Sequence, residues 1–298
     1  MSFNVCQKVG LELEGFTFDQ NGQPVDVYSA LAGGVTLPDR GLISTDAAPY
    51  QIEISTVPCQ SSQELFDCLQ ACLEYLPPEW QFVWQAIYPK KNGYPPAWAP
   101  KRRYIALWQG LAMERPDVWA SVRNIAYYSS LQFHFEIDPL SKEGLKVLNA
   151  INNLSPVIVS EAQSLVGIIP NERFYQAWQG WAKSERIPAY RLFESTEQLM
   201  EFWCSIPRLL YRDEQGNWWA DTKTKPAYDD PFHCGTVWWD ARPRFDLGTI
   251  EVRMLDSMPP SAIPKVLDYM LNFIERVLTG KEDRVLKQHD YNKLMKLT

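Results

Sequence analysis

The sequence predicts an α+β fold. Two observations carry that prediction: four short segments alternate apolar and polar residues with the period of a strand, and between them lie longer segments whose apolar residues recur on one helix face. The 298 residues are 46% hydrophobic, ample for a globular core. No internal repeat or low-complexity linker marks a boundary, so residues 1–298 are expected to form a single domain.

The first alternating segment is "VGLELEGFTF", residues 9–18, where Val9, Leu11 and Leu13 alternate with Glu12 and Glu14. In "YQIEISTV", Ile52, Ile54 and Thr56 alternate with Gln51, Glu53 and Ser55. A helix follows over "SSQELFDCLQACLEYLPP": Ser61 and Glu64 form a capping pattern, Leu65, Leu69, Cys72, Leu73 and Leu76 share one face, and Pro77 and Pro78 stop it. From Trp80 to Tyr128, proline, aromatic and basic residues crowd together in what reads as a long loop of the kind that often serves binding. Its "KRR", residues 101–103, reads as a solvated surface run.

The third alternating segment, "LQFHFEID", sets Phe133, Phe135 and Ile137 against Gln132, His134, Glu136 and Asp138. A helix through "SKEGLKVLNAINNLSPVIVSEAQ" is expected to kink at Pro156. Further amphipathic helices are predicted over 172–183, 195–205 and 261–279, the last with Ser261 as start signal and Gly280 as stop. Just before that last helix, "GTIEVRML" sets Ile250, Val252 and Met254 against Thr249, Glu251 and Arg253.

Composition excludes several classes. A net charge of −7 without any long basic run argues against nucleic-acid binding. The longest apolar runs, such as "LSPVIV", fall short of the roughly 20 residues of a membrane span, and no basic-then-apolar leader opens the chain. Six cysteines without a C-x-x-C pair argue against a disulfide framework or structural zinc, and fit a reducing cytoplasm.

One such strand alone reads as an ordinary half-exposed strand of an antiparallel sheet. Four together are different, because their polar sides carry Glu12, Glu14, Glu53, His134, Glu136, Asp138 and Glu251 with Arg253. On one sheet these six carboxylates would repel one another unless cations sat among them. Oxygen donors with a single imidazole suit Mg²⁺ or Mn²⁺ better than zinc. A neighbouring arginine suggests phosphate chemistry, but there is no G-x-x-x-x-G-K-[ST] loop, so a nucleotide would be held by metals and arginines.

"VGLELEGF", "TDAAPYQIEISTVP" and "WWDARPRFDLGTIEVRMLDSMPP" resemble, in order and spacing, motifs of the glutamate-cysteine ligase superfamily, and the last is especially similar to its carboxylate-amine ligase (GCS2-like) branch. The resemblance runs from about residue 8 to 278. It implies a glutamine-synthetase-like fold, a curved antiparallel sheet backed by helices and forming a funnel. It also implies an ADP-forming ligase: a carboxylate, such as that of an amino acid, attacks the γ-phosphate of ATP, and an amine displaces phosphate from the acyl phosphate to form an amide. On the family pattern Glu12, Glu14, Glu53, His134 and Glu251 are expected metal ligands, and Asp46 a further ligand or amine-orienting group. Arg253 is expected to stabilise the transferred phosphoryl charge and Arg242 to contact phosphate or the substrate carboxylate, with Arg173 and Gln132 as further cofactor contacts. The rival readings are a glycoside hydrolase, which tryptophan platforms and paired carboxylates would suit, and a non-catalytic metabolite-binding relative.

Overall fold

The computed structural model describes residues 5–89, 98–118, 126–168 and 182–297. Strand β1 (Val9–Phe18) lies inside an antiparallel sheet. β4 (Gln51–Thr56) pairs along one of its edges, and β6 (Ser130–Phe135) pairs with Val9–Leu13 along the other. The short β5 (Gln81–Val83) pairs with Phe16–Phe18. Outward from β4 lie β3 (Gly41–Thr45) and β2 (Val35–Leu37); outward from β6 lie β10 (Thr249–Asp256) and β9 (Ala241–Arg244). The four alternating segments of the sequence are therefore β4, β1, β6 and β10, side by side in that order.

Their apolar sides form the core. Leu11, Leu13, Ile52, Ile54, Phe133 and Val252 are each at most 1% exposed, and burying a side chain of this size contributes about 1.5–3 kcal/mol. Helices cover that face. α2 (Ser62–Tyr75) packs over β1, β3 and β4, α4 (Lys142–Leu165) over β9 and β10, and α7 (Ile263–Leu278) against both helices. The one-turn α1 (Val27–Ala30), α5 (Thr196–Ser205) and α8 (Gln288–Leu297) complete this side. Because the strand period is two, burying one side fixes the other, and the charged residues must share the opposite face.

The Ser61 cap of α2 is present: its side chain accepts the Glu64 N–H at 3.2 Å. Glu64 reaches back to the Gln60 N–H at 2.6 Å. α4 runs unbroken through Pro156. Three asparagines on it each hold both amide groups of another backbone residue: Asn149 with Phe193, Asn152 with Ala241, and Asn153 with Leu286, all at 2.7–3.0 Å. Asn152 thereby anchors the start of β9, an edge strand that tolerates Pro243 because no partner needs the missing N–H.

Other expectations need correction. The stretch from Trp80 to Tyr128 is not one long loop: it holds β5 and the 13-residue helix α3 (Arg102–Glu114). No side chain caps α3 at Lys101, so the sequence lacks a start signal, although Ala106, Leu107, Gly110 and Leu111 do share its buried face. Residues 90–97 and 119–125 of that stretch, and nearly all of the expected helix 172–183, lie outside the described residues. α7 begins after a 3₁₀ turn over Pro260–Ala262, so Ser261 does not cap it; Pro264 in its first turn marks the start. A small hairpin, β7 (Leu210–Arg212) and β8 (Trp218–Ala220), packs with α3, and a one-turn helix α6 (Pro231–Cys234) packs beside β7 and β9. The six cysteines are free thiols, and no helix among the described residues is long and apolar enough to cross a membrane.

Candidate functional site

Antiparallel register decides which polar residues meet. Glu14 faces Glu53 across β1 and β4, and Glu12 faces Gln132 across β1 and β6. Glu251 stands between His134 on β6 and Arg242 on β9. A bulge between Val252 and Leu255 frees Arg253 from the ladder, and its N–H instead donates to the Asp240 carbonyl at 2.9 Å. Asp46 enters from the end of β3, where the Tyr104 hydroxyl of α3 donates to its carboxylate.

The result is two triads of possible ligands: Glu12, His134 and Glu251 in one, Glu14, Asp46 and Glu53 in the other. Within each, one donor atom per residue lies within 4.8 Å of the others. Their electrostatics differ. Glu251 is fully buried, which by itself would favour its neutral form. Arg242 Nε at 2.7 Å, Arg244 Nη1 at 3.1 Å and Arg253 Nη1 at 3.1 Å overcome that, together with His134 at 4.0 Å. They hold Glu251 well below the usual carboxylate range. Burial likewise opposes ionisation of Glu12, but its 3.2 Å contact with His134 Nε2 brings it below its usual value.

The second triad has no such neutralisation. Burial pushes Glu14 well above the usual range, and Asp46 and Glu53 push it further. It accepts the Ser130 N–H at 2.8 Å and the Gln132 amide at 2.7 Å. Burial, with Glu12 and Asp46 beside it, raises Glu53 to about 8. Lys101 and Arg103 only partly offset this. Two buried carboxylates that resist ionisation, Glu14 and Glu53, clustered with Asp46 as a third oxygen donor, fit a hard divalent cation. The first triad fits one less freely, because three guanidinium groups already claim Glu251.

Of the residues singled out in the sequence, the structure brings Glu12, Glu14, Asp46, Glu53, Gln132, Arg242 and Arg253 to one cavity of about 510 Å³. Glu12 and His134 also line an adjoining cavity of about 280 Å³. Arg173 lies outside the described residues. Glu136 and Asp138 do not join the triads: β6 ends at Phe135, and Asp138 turns to accept the Leu140 N–H at 2.9 Å ahead of α4. The carboxylates grouped in the triads are thus Glu12, Glu14, Asp46, Glu53 and Glu251.

Sequence reasoning missed Arg244, although "ARPR" spaces it two residues from Arg242 and so on the same face. It also misread "KRR". Arg102 and Arg103 are exposed as expected, but Arg103 also lines the cavity, and half-buried Lys101 lines it too and donates through Nζ to the Thr45 carbonyl.

The profile of glutamate-cysteine ligase family 2 (GCS2) matches residues 8–162, more than half of the chain. Among solved structures, a bifunctional glutathione synthetase from Pasteurella multocida aligns with 97% of this chain and 41% of its own length, at TM-score 0.52 and 14% identity. A glutamate–cysteine ligase from Francisella tularensis, in complex with AMP, aligns with 99% of this chain and 71% of its own, at TM-score 0.51 and 12% identity. At such identities the likeness is one of fold. The chain spans less than half the length of the glutathione synthetase. No curated protein sequence matches it. The matched stretch contains β1, β3, β4 and β6, and with them Glu12, Glu14, Asp46, Glu53 and His134: the chain belongs to glutamate-cysteine ligase family 2.

Proposed function

We propose that this chain is an ATP-dependent carboxylate-amine ligase that joins a small carboxylate, such as an amino acid, to an amine through an acyl phosphate, releasing ADP. Residues 1–298 act as one catalytic unit, with the curved sheet as the wall of a funnel. The observation that carries this reading is the pairing of the two ligand triads with Arg242, Arg244 and Arg253 on one sheet face, in a member of this family. Glu14, Asp46 and Glu53, and less freely Glu12, His134 and Glu251, would hold Mg²⁺ or Mn²⁺. Bound there, such ions supply charge neutralisation for the triphosphate.

The side chains divide the remaining work. Arg253 and Arg242 donate to the oxygens of the transferring phosphoryl group, where negative charge accumulates, and Glu251 fixes both guanidiniums in place. Gln132 orients Glu14 through its amide. Asp46, at the α3 side of the cavity, orients the amine and takes up its proton as the C–N bond forms and phosphate leaves. The adjoining cavity beyond Glu12, walled in part by Leu11, Pro58 and Leu247, has room for the nucleotide base.

The test is nucleotide turnover. Carboxylates and amines are screened in pairs with ATP, and ADP and phosphate are the expected products, strictly dependent on Mg²⁺ or Mn²⁺. AMP with pyrophosphate would reject the mechanism. ATP binding without turnover for any pair would favour the non-catalytic relative, a reading that gains some support from the arginines already saturating Glu251.

A further inference from the structure

The cavity wall facing the carboxylates is built from different elements. It comes from α3, α6 and the β7–β8 hairpin with the segments beside them. Its apolar members, Trp98, Leu107, Trp218, Phe232 and Trp238, belong to a hydrophobic cluster separate from the main core. Leu107 and Trp238 are buried, while Trp98, Trp218 and Phe232 are half-buried, and the rings of Trp218 and Phe232 meet edge to face at 5.0 Å. Water therefore wets a pre-packed aromatic surface that an apolar group could cover.

The wall is rigidly tied. Arg186, fully buried, donates through Nε and Nη2 to the Glu114 carboxylate at 2.9 and 2.7 Å, fixing the end of α3. Its own carbonyl accepts the Trp238 N–H at 2.6 Å. One residue thus joins the helix to the tryptophan across the wall.

Two cations stand at the start of α3. Lys101 is engaged by the Thr45 carbonyl and by the Tyr104 ring, 5.6 Å from its centroid. Arg103 has no hydrogen bond or ion pair among the described residues. Its guanidinium nonetheless lies against Gly235, close enough that a Cβ at that glycine would stand 2.8 Å from Nη2. A planar fork with no hydrogen-bonded partner among the described residues, exposed at the rim of a cavity beside an aromatic wall, matches a carboxylate whose owner also carries apolar bulk.

We propose that this wall selects the amine substrate, an α-amino acid with a large apolar side chain: Arg103 holds its carboxylate, and Trp98, Trp218 and Phe232 receive its side chain. The amino group is then left for the side of Asp46, whose hydrogen-bond partner Tyr104 follows Arg103 in sequence. An acidic side chain is disfavoured, because the floor is already carboxylate-rich and Arg103 would be occupied by the α-carboxylate. This selection rests on the ligase reading above.

Titration calorimetry of the full chain, with Mg²⁺ and the non-hydrolysable analogue AMP-PNP present, tests it with L-phenylalanine, L-alanine and L-glutamate as probes. L-phenylalanine is expected to bind at least tenfold more tightly than L-glutamate. Arg103→Met should weaken L-phenylalanine tenfold or more, and Trp218→Leu should weaken it while leaving L-alanine unchanged. Thermal melting of both variants close to wild type confirms the fold, and Arg103→Lys, with the charge but not the fork, should fall between. Glutamate binding as tightly as phenylalanine, unchanged affinity in Arg103→Met, or no binding of any amino acid overturns the proposal. If L-phenylalanine binds through Arg103 but AMP-PNP does not bind, the wall stands and the ligase reading fails. ATP turnover that accepts only glutamate as amine does the reverse.

Discussion

Glu251 and Glu53 are both carboxylates on the polar face of one sheet, yet removing their charges should move stability in opposite directions. Glu251 is 0% exposed and ion-paired to three arginines at 2.7–3.1 Å. Glu251→Gln strips that counter-charge from Arg242 and Arg253, while Arg244 keeps Asp246 at 2.8 Å, and puts an amide donor where an acceptor stood. Breaking a buried pair from one side costs about 3–5 kcal/mol, a large share of the roughly 5–15 kcal/mol that holds a domain folded. Glu53 has only carboxylates as near partners in its triad, and burial raises it to about 8. Because its folded value exceeds the unfolded one, its stabilising share is complete below about pH 4.5 and is lost as pH rises through about 8. At pH 7 most of that loss has occurred, so Glu53→Gln should stabilise the metal-free protein by about 1–3 kcal/mol after allowance for its partial exposure. Urea unfolding at pH 7 in EDTA measures both. A Glu251→Gln protein as stable as wild type, or a Glu53→Gln protein less stable, would refute the division of the site into a neutralised and an unneutralised half.

Arg253→Lys keeps a charge but loses the planar fork; turnover should fall on the order of 10²- to 10³-fold, and a variant with most of its kcat would make Arg253 only an ion-pair partner of Glu251. Asn152→Ala leaves the Ala241 N–H and C=O unpaired at the start of β9, so urea unfolding should show a loss of about 2–5 kcal/mol, whereas a loss under 1 kcal/mol would mean that the anchor is idle. His233 is buried, with Nε2 3.2 Å from the Trp203 carbonyl, and burial with Arg186 nearby lowers it to about 3. The unfolded chain takes up a proton that the folded one refuses below about pH 6.5, so between pH 7 and pH 5 wild type should lose about 2 kcal/mol more than His233→Gln; equal losses would show that His233 protonates freely in the fold.

The polar face that holds the candidate site was legible in the sequence wherever the strand period carried it. Glu12, Glu14, Glu53, His134 and Glu251 were legible because each sits between apolar residues that must be buried, which leaves its own direction no choice. Asp46 lies past the end of β3, where no alternation constrains it, and only the family resemblance pointed there. Lys101 and Arg103 were opaque for a different reason: a three-residue charge run has no periodicity, and α3 has no side-chain cap to announce that a helix would fold them over the cavity. Asp138 misled because alternation continues in the sequence after β6 has stopped at Phe135, whereas Glu136 lines the adjoining cavity with Glu12 and His134 without joining a triad. The arginine hub around Glu251 depends on β9 pairing with β10, a long-range register that the motif "ARPRFDLGTIEVR" contains but does not declare.

The acyl phosphate can be tested most directly by following an oxygen atom. If a carboxylate oxygen attacks the γ-phosphorus and the amine then displaces phosphate, that oxygen leaves on the phosphate. With an ¹⁸O-labelled carboxylate substrate, ATP, Mg²⁺ and an amine, one ¹⁸O is expected in the inorganic phosphate for each amide and each ADP formed. Unlabelled phosphate, or label recovered in AMP, would contradict the account.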